Sequence, residues 1–292
     1  MCGIVGLHLR NPDLHPLLGE LVTGMLCEMG DRGSDSAGVA VYGDPTWSPP
    51  GHGCVSLLDV DASADEVAET LGVSVTQLDA TYLLTAQASS ENILAAAKSA
   101  YPDALVAGFG ADLAVLKGVG HPRELTENWG LAKAQGWQGV GHTRMATESA
   151  VTPAGCHPYA VGPEQCMVHN GSFANHATIR RELRAAGVTF DSENDTEVGA
   201  RFIAKQLAEG RDVEAALKEL CAVFDGFYTL LVSNRDSFAV VRDAIACKPA
   251  VIAETDDWVA MGSEYRALAG LPGVEKARIW EPEPEVIYAW KR

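Results

Sequence analysis

Hydrophobic positions at the start of the chain predict a strand followed by a helix. Residues 2–9 form a nearly continuous apolar run, which is typical of a buried strand. Residues 16–29 repeat leucine and methionine at helical spacing and predict an amphipathic helix. A polar, glycine-punctuated loop over residues 30–38 then leads to a short predicted strand over residues 39–42.

The stretch over residues 45–135 differs from the preceding residues in its pattern of predicted elements. Prolines and glycines at residues 43–53 indicate a linker; short strands, a helix over residues 64–71 and an alanine-rich helix over residues 92–100 follow it. Residues 105–116 are predicted as a hairpin. We expect a compact inserted α+β module with no catalytic constellation of its own and with an interaction or scaffold role.

The second half of the chain alternates strands and helices. A strand ends at Arg144, and another over residues 166–169 is predicted to break at Asn170-Gly171. Helices are predicted over residues 175–186, with Arg180 on the solvent side, and then over 195–207 and 213–224. Short strands fill the remainder. Strands at both ends and helices in the middle predict an α+β fold of layered sheets with helices outside.

Composition narrows the class of protein. The net charge of −17 over 292 residues disfavours nucleic acid and anionic membranes as partners. No run approaches the roughly 18 apolar residues that cross a bilayer, and the N-terminus lacks a signal-peptide pattern, so we expect a cytoplasmic protein. Seven cysteines without a repeated CxxC favour neither a disulfide framework nor a zinc site. No metal or cofactor is predicted.

Cys2 stands directly behind the initiator methionine. Removal of Met1 would leave a residue with both a thiol and a free α-amine. That amine, with an unperturbed pKa of about 7.7–8.0, suits a general base that activates the thiol on the same residue. For an isolated Met-Cys pair, a small hydrophobic residue near a frayed end is the plainer interpretation. The rest of the chain decides between the two.

Four further stretches each admit a structural and a chemical interpretation. Arg144 suits a surface ion pair or a bidentate clamp for a carboxylate. Asn170-Gly171 suits a turn or an oxyanion hole. Asp195 suits a helix N-cap or a partner for an α-ammonium group. Arg32 lies in a loop that is either a connection or a lid. Together with Cys2, these groups would complement an α-amino acid with an electrophilic side-chain carbonyl, such as glutamine.

Five motifs in order carry a resemblance to a known family. The chain resembles the class II glutamine amidotransferases, which are N-terminal-nucleophile hydrolases. The motifs are MCGIVG at residues 1–6, RGSDSAG at 32–38, GHTRMAT at 141–147, HNG at 169–171 and NDTE at 194–197. The resemblance implies one amidotransferase domain over residues 1–292, folded as a four-layer αββα sandwich, with the module over residues 45–135 inserted into it.

The resemblance also implies a catalytic role for three residues. Cys2 would attack the side-chain amide of L-glutamine, with its own α-amine moving protons, and form a thioester. The Asn170 side chain and the Gly171 N–H would hold the oxyanion. Ammonia would leave, and water would hydrolyse the thioester to glutamate.

Substrate-binding roles follow from the same resemblance. Arg144, with help from Thr147, would bind the α-carboxylate, and Asp195 would bind the α-ammonium group. Arg32 would lie on a loop that closes over bound glutamine. Many members have histidine where this chain has Glu148, and a carboxylate there cannot donate a hydrogen bond to the substrate carboxylate.

The last motif is followed by fewer than a hundred residues, which resemble the rest of the amidotransferase domain. We therefore expect a glutaminase subunit that supplies ammonia to a separate synthase. The resemblance implies a glutamate-synthase-like partner with flavin and iron–sulfur groups, such as N-methylglutamate synthase. Two alternatives stay open: a freestanding N-terminal-nucleophile amidase for another amide, and a non-catalytic glutamine-sensing or scaffold subunit.

Overall fold

A computed structural model describes residues 2–145 and 151–292, which form three antiparallel sheets and their covering helices. The strands are β1 Gly3–Leu9, β2 Ser36–Tyr42, β3 Gly53–Leu58, β4 Ser74–Leu78, β5 Thr81–Ala86, β6 Leu105–Gly110, β7 Leu113–Val119, β8 Gln138–Arg144, β9 Cys166–Phe173, β10 Gly226–Asn234, β11 Ser237–Arg242, β12 Val251–Glu254, β13 Trp258–Gly262, β14 Arg278–Trp280 and β15 Tyr288–Lys291. The helices are α1 Leu18–Glu28, α2 Ala64–Leu71, α3 Ser90–Ala100, α4 Pro122–Asn128, α5 His176–Ala185, α6 Asp195–Ala208 and α7 Val213–Val223.

Two of the sheets form the body of the fold. The larger has the order β14-β12-β13-β1-β8-β2-β7, so the first strand of the chain lies at its centre. The second sheet has the order β15-β11-β10-β9. Since strand side chains alternate between two faces, β1 sends Ile4 toward the second sheet and Val5 toward the α1 layer. Both faces are buried, which explains why residues 2–9 read as a continuous apolar run.

Three apolar cores separate four layers. Val22 and Leu26 of α1 pack on the outer face of the large sheet. Phe238 belongs to the core between the two sheets. Ile203 of α6 and Leu217 of α7 pack on the outer face of the second sheet. The order is therefore helix, sheet, sheet, helix, as the predicted αββα sandwich requires.

A smaller sheet lies within the predicted module. It has the order β4-β5-β3-β6, and α2 and α3 pack on it through a core that includes Val55, Leu84 and Ile93. The chain order βαββαβ with this strand order is the split βαβ arrangement of ferredoxin-like folds. The sheet spans residues 53–110, whereas β7 pairs with β2 of the large sheet. The module boundaries of 45–135 stay a prediction.

Three local predictions are wrong. Residues 105–116 are not a hairpin, because β6 pairs with β3 in the small sheet while β7 joins the large one. The strand β9 does not break at Asn170-Gly171 but continues to Phe173, paired with β10 throughout. Arg180 does not face solvent; it is buried and donates to the carbonyls of Ser192 and Asn194.

Other elements agree closely with the sequence patterns. The helix over α2 was predicted at its observed bounds, and α1 lies within the predicted residues 16–29. In the part of the chain that the structure describes, no helix has both the length and the apolar character needed to cross a bilayer.

Candidate active site

Cys2 lies immediately before β1, at the end of the central strand of the large sheet. Its Sγ atom is partly exposed and lies 3.9 Å from the carbonyl oxygen of Met145. Gly3 follows in close contact with its neighbours: a Cβ atom there would come within 2.8 Å of Thr143 Oγ1 and of Met29 Cβ. Because a side chain would clash here, glycine is needed for the backbone next to Cys2 to pack this closely against its neighbours.

The backbone carbonyl of Cys2 accepts two hydrogen bonds. Asn170 Nδ2 donates to it at 2.9 Å from the second sheet, and Arg32 Nε donates at 2.9 Å from the turn after α1. Asn170 and Arg32 are both buried. Three separate segments therefore meet at Cys2 and fix its backbone, and the residue as a whole is partly exposed.

Arg32 occupies a different position from the one expected of a lid residue. It ends the short 3-10 turn Gly30–Arg32, and its side chain is only 8% exposed. Besides contacting Cys2, its Nη1 pairs with Glu264 Oε1 at 2.6 Å. The guanidinium is turned inward beneath the N-terminus, and its role in loop closure stays a prediction.

Gly171 follows Asn170 on β9 and pairs with Tyr228 of β10. Its φ of +140° is a conformation that side-chain-bearing residues rarely adopt. A Cβ atom at this position would lie 2.0 Å from the carbonyl oxygen of Phe227. Glycine is required here both by φ and by space, and the role of its N–H as an oxyanion donor stays a prediction.

Asp195 is the first residue of α6 rather than its N-cap. Asn194 caps the helix, accepting from Thr196 N at 2.8 Å, which leaves the Asp195 carboxylate for other contacts. Its Oδ2 accepts from Phe173 N at 2.8 Å. Because Phe173 ends β9, this bond ties Asp195 to the strand that carries Asn170.

Arg180 and Glu197 position the loop before Asp195. Arg180 Nη2 donates to Asn194 O at 2.9 Å, and Glu197 Oε2 accepts from Ser192 N at 2.7 Å. The sequence analysis placed Arg180 on the solvent side and named Glu197 only as part of the NDTE motif, since a charged residue on a helix is expected to be solvated.

Arg144 ends β8 in the same edge of the large sheet as Cys2. It is buried, pairs with Ser36 on β2, and its carbonyl accepts from Asp35 N at 3.1 Å. Thr147 and Glu148 lie outside the described residues. The proposed carboxylate-binding roles of Arg144 and Thr147 therefore stay predictions.

A buried cluster of three histidines lies behind Asn170 and Asp195. His157 Nε2 and His169 Nδ1 lie 3.0 and 2.9 Å from the hydroxyl oxygen of Thr196, which also lies 3.5 Å from Asp195 Oδ1. His142 stacks on His157 with ring centroids 4.1 Å apart and donates to His169 O. The sequence offers no signal for this cluster, because the three rings come from separate segments.

Burial keeps these histidines neutral. Desolvation lowers the pKa of His142 to about 3 and that of His169 to about 4. Desolvation also lowers the pKa of His157 well below its ordinary value, and His142 and His169 add to that effect. The three rings act as uncharged hydrogen-bonding and stacking groups that join β8, β9 and α6.

The chain is similar to known proteins over nearly its whole length. The glutamine amidotransferase domain family matches residues 142–270. The glutamine amidotransferase-like protein GlxB of Rhizobium meliloti is 44% identical over 99% of this chain and 98% of its own. A putative glutamine amidotransferase of Methanothermobacter thermautotrophicus is 28% identical over 92% and 93%, respectively.

A solved structure shares the fold. The allosteric regulatory enzyme of purine biosynthesis superposes with a TM-score of 0.66 at 19% identity, over 99% of this chain and 46% of that one. The motifs, the sandwich and the full-length similarity agree with one another. The chain therefore belongs to the class II glutamine amidotransferases.

Proposed function

We propose that this protein is a glutaminase subunit that releases ammonia from L-glutamine at Cys2 and delivers it to a separate synthase. The observation that carries the proposal is the double hydrogen bond from Asn170 and Arg32 to the Cys2 carbonyl. These two bonds hold the backbone of the nucleophile in place, while the side chain of Cys2 stays partly exposed.

The chemistry begins after removal of Met1. The Cys2 thiol passes its proton to the new α-amine, and sulfur attacks the side-chain carbonyl carbon of glutamine. The carbonyl electron pair moves onto oxygen, which the Asn170 amide and the Gly171 N–H stabilise. A primary amide has two N–H donors, so Asn170 holds the Cys2 carbonyl with one and serves the oxyanion with the other.

Collapse of the tetrahedral intermediate breaks the carbon–nitrogen bond. The nitrogen takes a proton from the α-ammonium group and leaves as ammonia, and a thioester remains on Cys2. Water then attacks the thioester, loses a proton to the α-amine, and glutamate and the free thiol are formed. Asn170 and Gly171 stabilise the oxyanion in both halves of the reaction.

The amino acid headgroup is bound by opposite charges. Arg144, with Thr147, binds the α-carboxylate, and Asp195 binds the α-ammonium group. Support comes from the placement of Arg144 and Asp195 near Cys2 and Asn170: Arg144 ends the strand β8, whose residue Thr143 pairs with Gly3, and Asp195 is bonded to the end of β9. This pairing of charges favours an amino acid over a simple amide.

Transfer of ammonia to a glutamate-synthase-like partner, such as N-methylglutamate synthase, is the finer part of the proposal. Its support is the resemblance of the sequence to subunits that work with flavin and iron–sulfur proteins. We expect weak glutaminase activity alone and a higher turnover with the cognate synthase present.

Three measurements test the proposal. Hydrolysis rates for glutamine, asparagine and simple amides separate a glutaminase from a general amidase, which would favour another amide. A Cys2→Ala variant with unchanged function would leave only a sensing or scaffold role. Glutamine labelled at its amide nitrogen should give labelled product in the presence of the synthase; label found only in free ammonia would contradict transfer.

A further inference from the structure

The corner that follows β13 is bonded to the start of β1. Ser263 N donates to Ile4 O at 2.9 Å, and Ser263 Oγ accepts from Ile4 N at 2.9 Å. Ser263 thus bonds both the N–H and the carbonyl of Ile4, which lies two positions after Cys2 in the chain. Glu264, the next residue in this corner, is therefore fixed in its distance from the nucleophile.

Glu264 bridges two arginines. Its Oε1 pairs with Arg32 Nη1 at 2.6 Å, and its Oε2 lies 2.9 Å from Arg266 Nε. Arg266 Nη1 in turn lies 3.2 Å from Asp31 Oδ2, on the turn that carries Arg32. The hydrogen bond from Arg32 is the main cause of the lowered pKa of the Glu264 carboxyl, which is therefore ionised near neutral pH.

The position of the Arg32 guanidinium depends on this carboxylate. The guanidinium is planar, so bonds at Nε and Nη1 together fix its plane as well as its distance from Cys2. Arg32 is buried while Glu264 is about one-third exposed. Without the carboxylate, a buried cation would lose its counter-ion and turn toward other acceptors or solvent.

We propose that Glu264 is a positioning residue for the nucleophile: through Arg32 it fixes the backbone, and hence the attack geometry, of Cys2. The proposal rests on the assignment of Cys2 as the nucleophile in the proposed function. Within residues 2–145 and 151–292, the recorded ion pairs of Glu264 are with Arg32 and Arg266. Its influence therefore falls on the chemical step rather than on glutamine binding.

Replacement of the carboxylate tests this directly. Glu264→Gln keeps the shape and removes the charge, so we expect kcat for glutamine to fall about 10- to 100-fold, the effect of a misplaced reacting group. KM should stay within about threefold of the wild type, since the headgroup contacts are intact. The rate of Cys2 alkylation by saturating diazo-oxo-norleucine should fall in parallel with kcat.

A matched control and a second variant complete the experiment. Glu254→Gln removes a carboxylate of similar exposure that pairs with Arg10 at 2.6 Å on the same sheet, and it should leave kcat unchanged. Glu264→Asp keeps the charge with a shorter reach and should give an intermediate kcat. It also keeps the test decisive if Glu264→Gln does not fold.

Three results would overturn the proposal: a wild-type kcat and alkylation rate in either Glu264 variant, an equal loss of kcat in Glu254→Gln, or a rise in KM with an unchanged kcat. The proposed function fails by a different result, namely no alkylation of Cys2 in the wild-type protein. The two failures are therefore distinguishable.

Discussion

At the scale of single residues, the site depends on backbone geometry as much as on side chains. The carbonyl of Cys2 accepts from Asn170 and Arg32, and Gly3 and Gly171 allow approaches that any Cβ atom would prevent. The sequence motifs predicted that Cys2, Asn170 and Gly171 belong to one site. They did not predict that Arg32 faces the nucleophile, because a glycine-rich loop does not reveal where its arginine points.

Asn170→Ala should lower kcat by about 10²- to 10³-fold, because it removes an oxyanion donor and a bond to the Cys2 carbonyl. Initial rates of glutamate formation provide the measurement. Asn128→Ala, an exposed position at the end of α4, serves as the control and should keep full activity. Equal rates for Asn170→Ala and the wild type would refute the assigned role.

Gly171→Ala should destabilise the protein by about 2 kcal/mol or more, since a strained φ is combined with a backbone clash at Phe227 O. Gly187→Ala is a matched control: its φ is +88°, but a Cβ atom there meets nothing within 4 Å. Gly187→Ala should destabilise the protein by only about 1 kcal/mol, because only the unfavourable backbone conformation contributes. Urea unfolding of both variants measures the difference, and similar losses would show that the clash relaxes.

At the scale of secondary-structure elements, the histidine cluster joins two strands to the helix that carries Asp195. The Thr196 hydroxyl lies at the centre of the cluster, within hydrogen-bond distance of His157 in the loop before β9 and of His169 in β9 itself. The protein therefore positions Asn170 and Asp195 relative to each other through neutral polar groups.

The free energy of unfolding should fall as the pH drops below about 6.5. The folded-state pKa of each histidine is lowered, so the unfolded chain binds more protons; the stabilisation is present above pH 6.5 and is lost as pH falls toward 4 and 3. For three rings the slope reaches about 4 kcal/mol per pH unit at most.

Urea titrations across this pH range measure that slope. His157→Phe removes one of the three titrating rings of the cluster and should reduce the slope by at most about 1.4 kcal/mol per pH unit. His52→Gln, at a partly exposed position outside the cluster, is the control and should keep the full slope. A flat stability profile between pH 6.5 and 4 in the wild type would contradict a neutral buried cluster.

Lys117 on β7 is a second buried group with a measurable consequence. Within residues 2–145 and 151–292 its Nζ has no recorded hydrogen-bond or ion-pair partner, and it lies 5.0 Å from the Tyr159 ring centroid. Desolvation lowers its pKa to about 8, against an ordinary value of 10.5, so its charge destabilises the folded state at neutral pH.

Lys117→Met should therefore raise the free energy of unfolding at neutral pH, by on the order of 1–3 kcal/mol. The gain should shrink as pH rises from 8 toward 10.5, where the lysine is neutral in both states. Lys98→Met is the control, because Lys98 Nζ donates to Ala104 O at 2.7 Å and its loss should not stabilise. A destabilised Lys117→Met protein would show that the ammonium has a compensating partner.

Elements with strong local patterns were predictable, and elements defined by distant partners were not. The apolar spacing predicted α1, and the apolar run predicted β1. The exposed edge strand β4 was missed, because its side chains are polar or only partly buried and show no clear alternation. Asn170-Gly171 favours a turn locally, yet pairing with β10 keeps the strand extended through it.

At the scale of the whole molecule, the three apolar cores hold the layers together so that Cys2 lies where the large sheet meets the second sheet. The resemblance predicted the αββα layers. The exact division between sheets depends on pairing over long sequence separations, which is why residues 105–116 were assigned to one hairpin although the chain passes there from the small sheet to the large one. The interaction or scaffold role of the inserted module over residues 45–135 stays a prediction.

The central claim is that Cys2 is a processed N-terminal nucleophile in a glutamine-shaped pocket. The most direct measurement is the intact mass of the purified protein before and after incubation with diazo-oxo-norleucine, with peptide mapping of the adduct. Under this assignment, we expect loss of Met1 and a single adduct on Cys2 that excess glutamine prevents. A processed terminus that acquires no adduct, or an adduct on another cysteine, would contradict it.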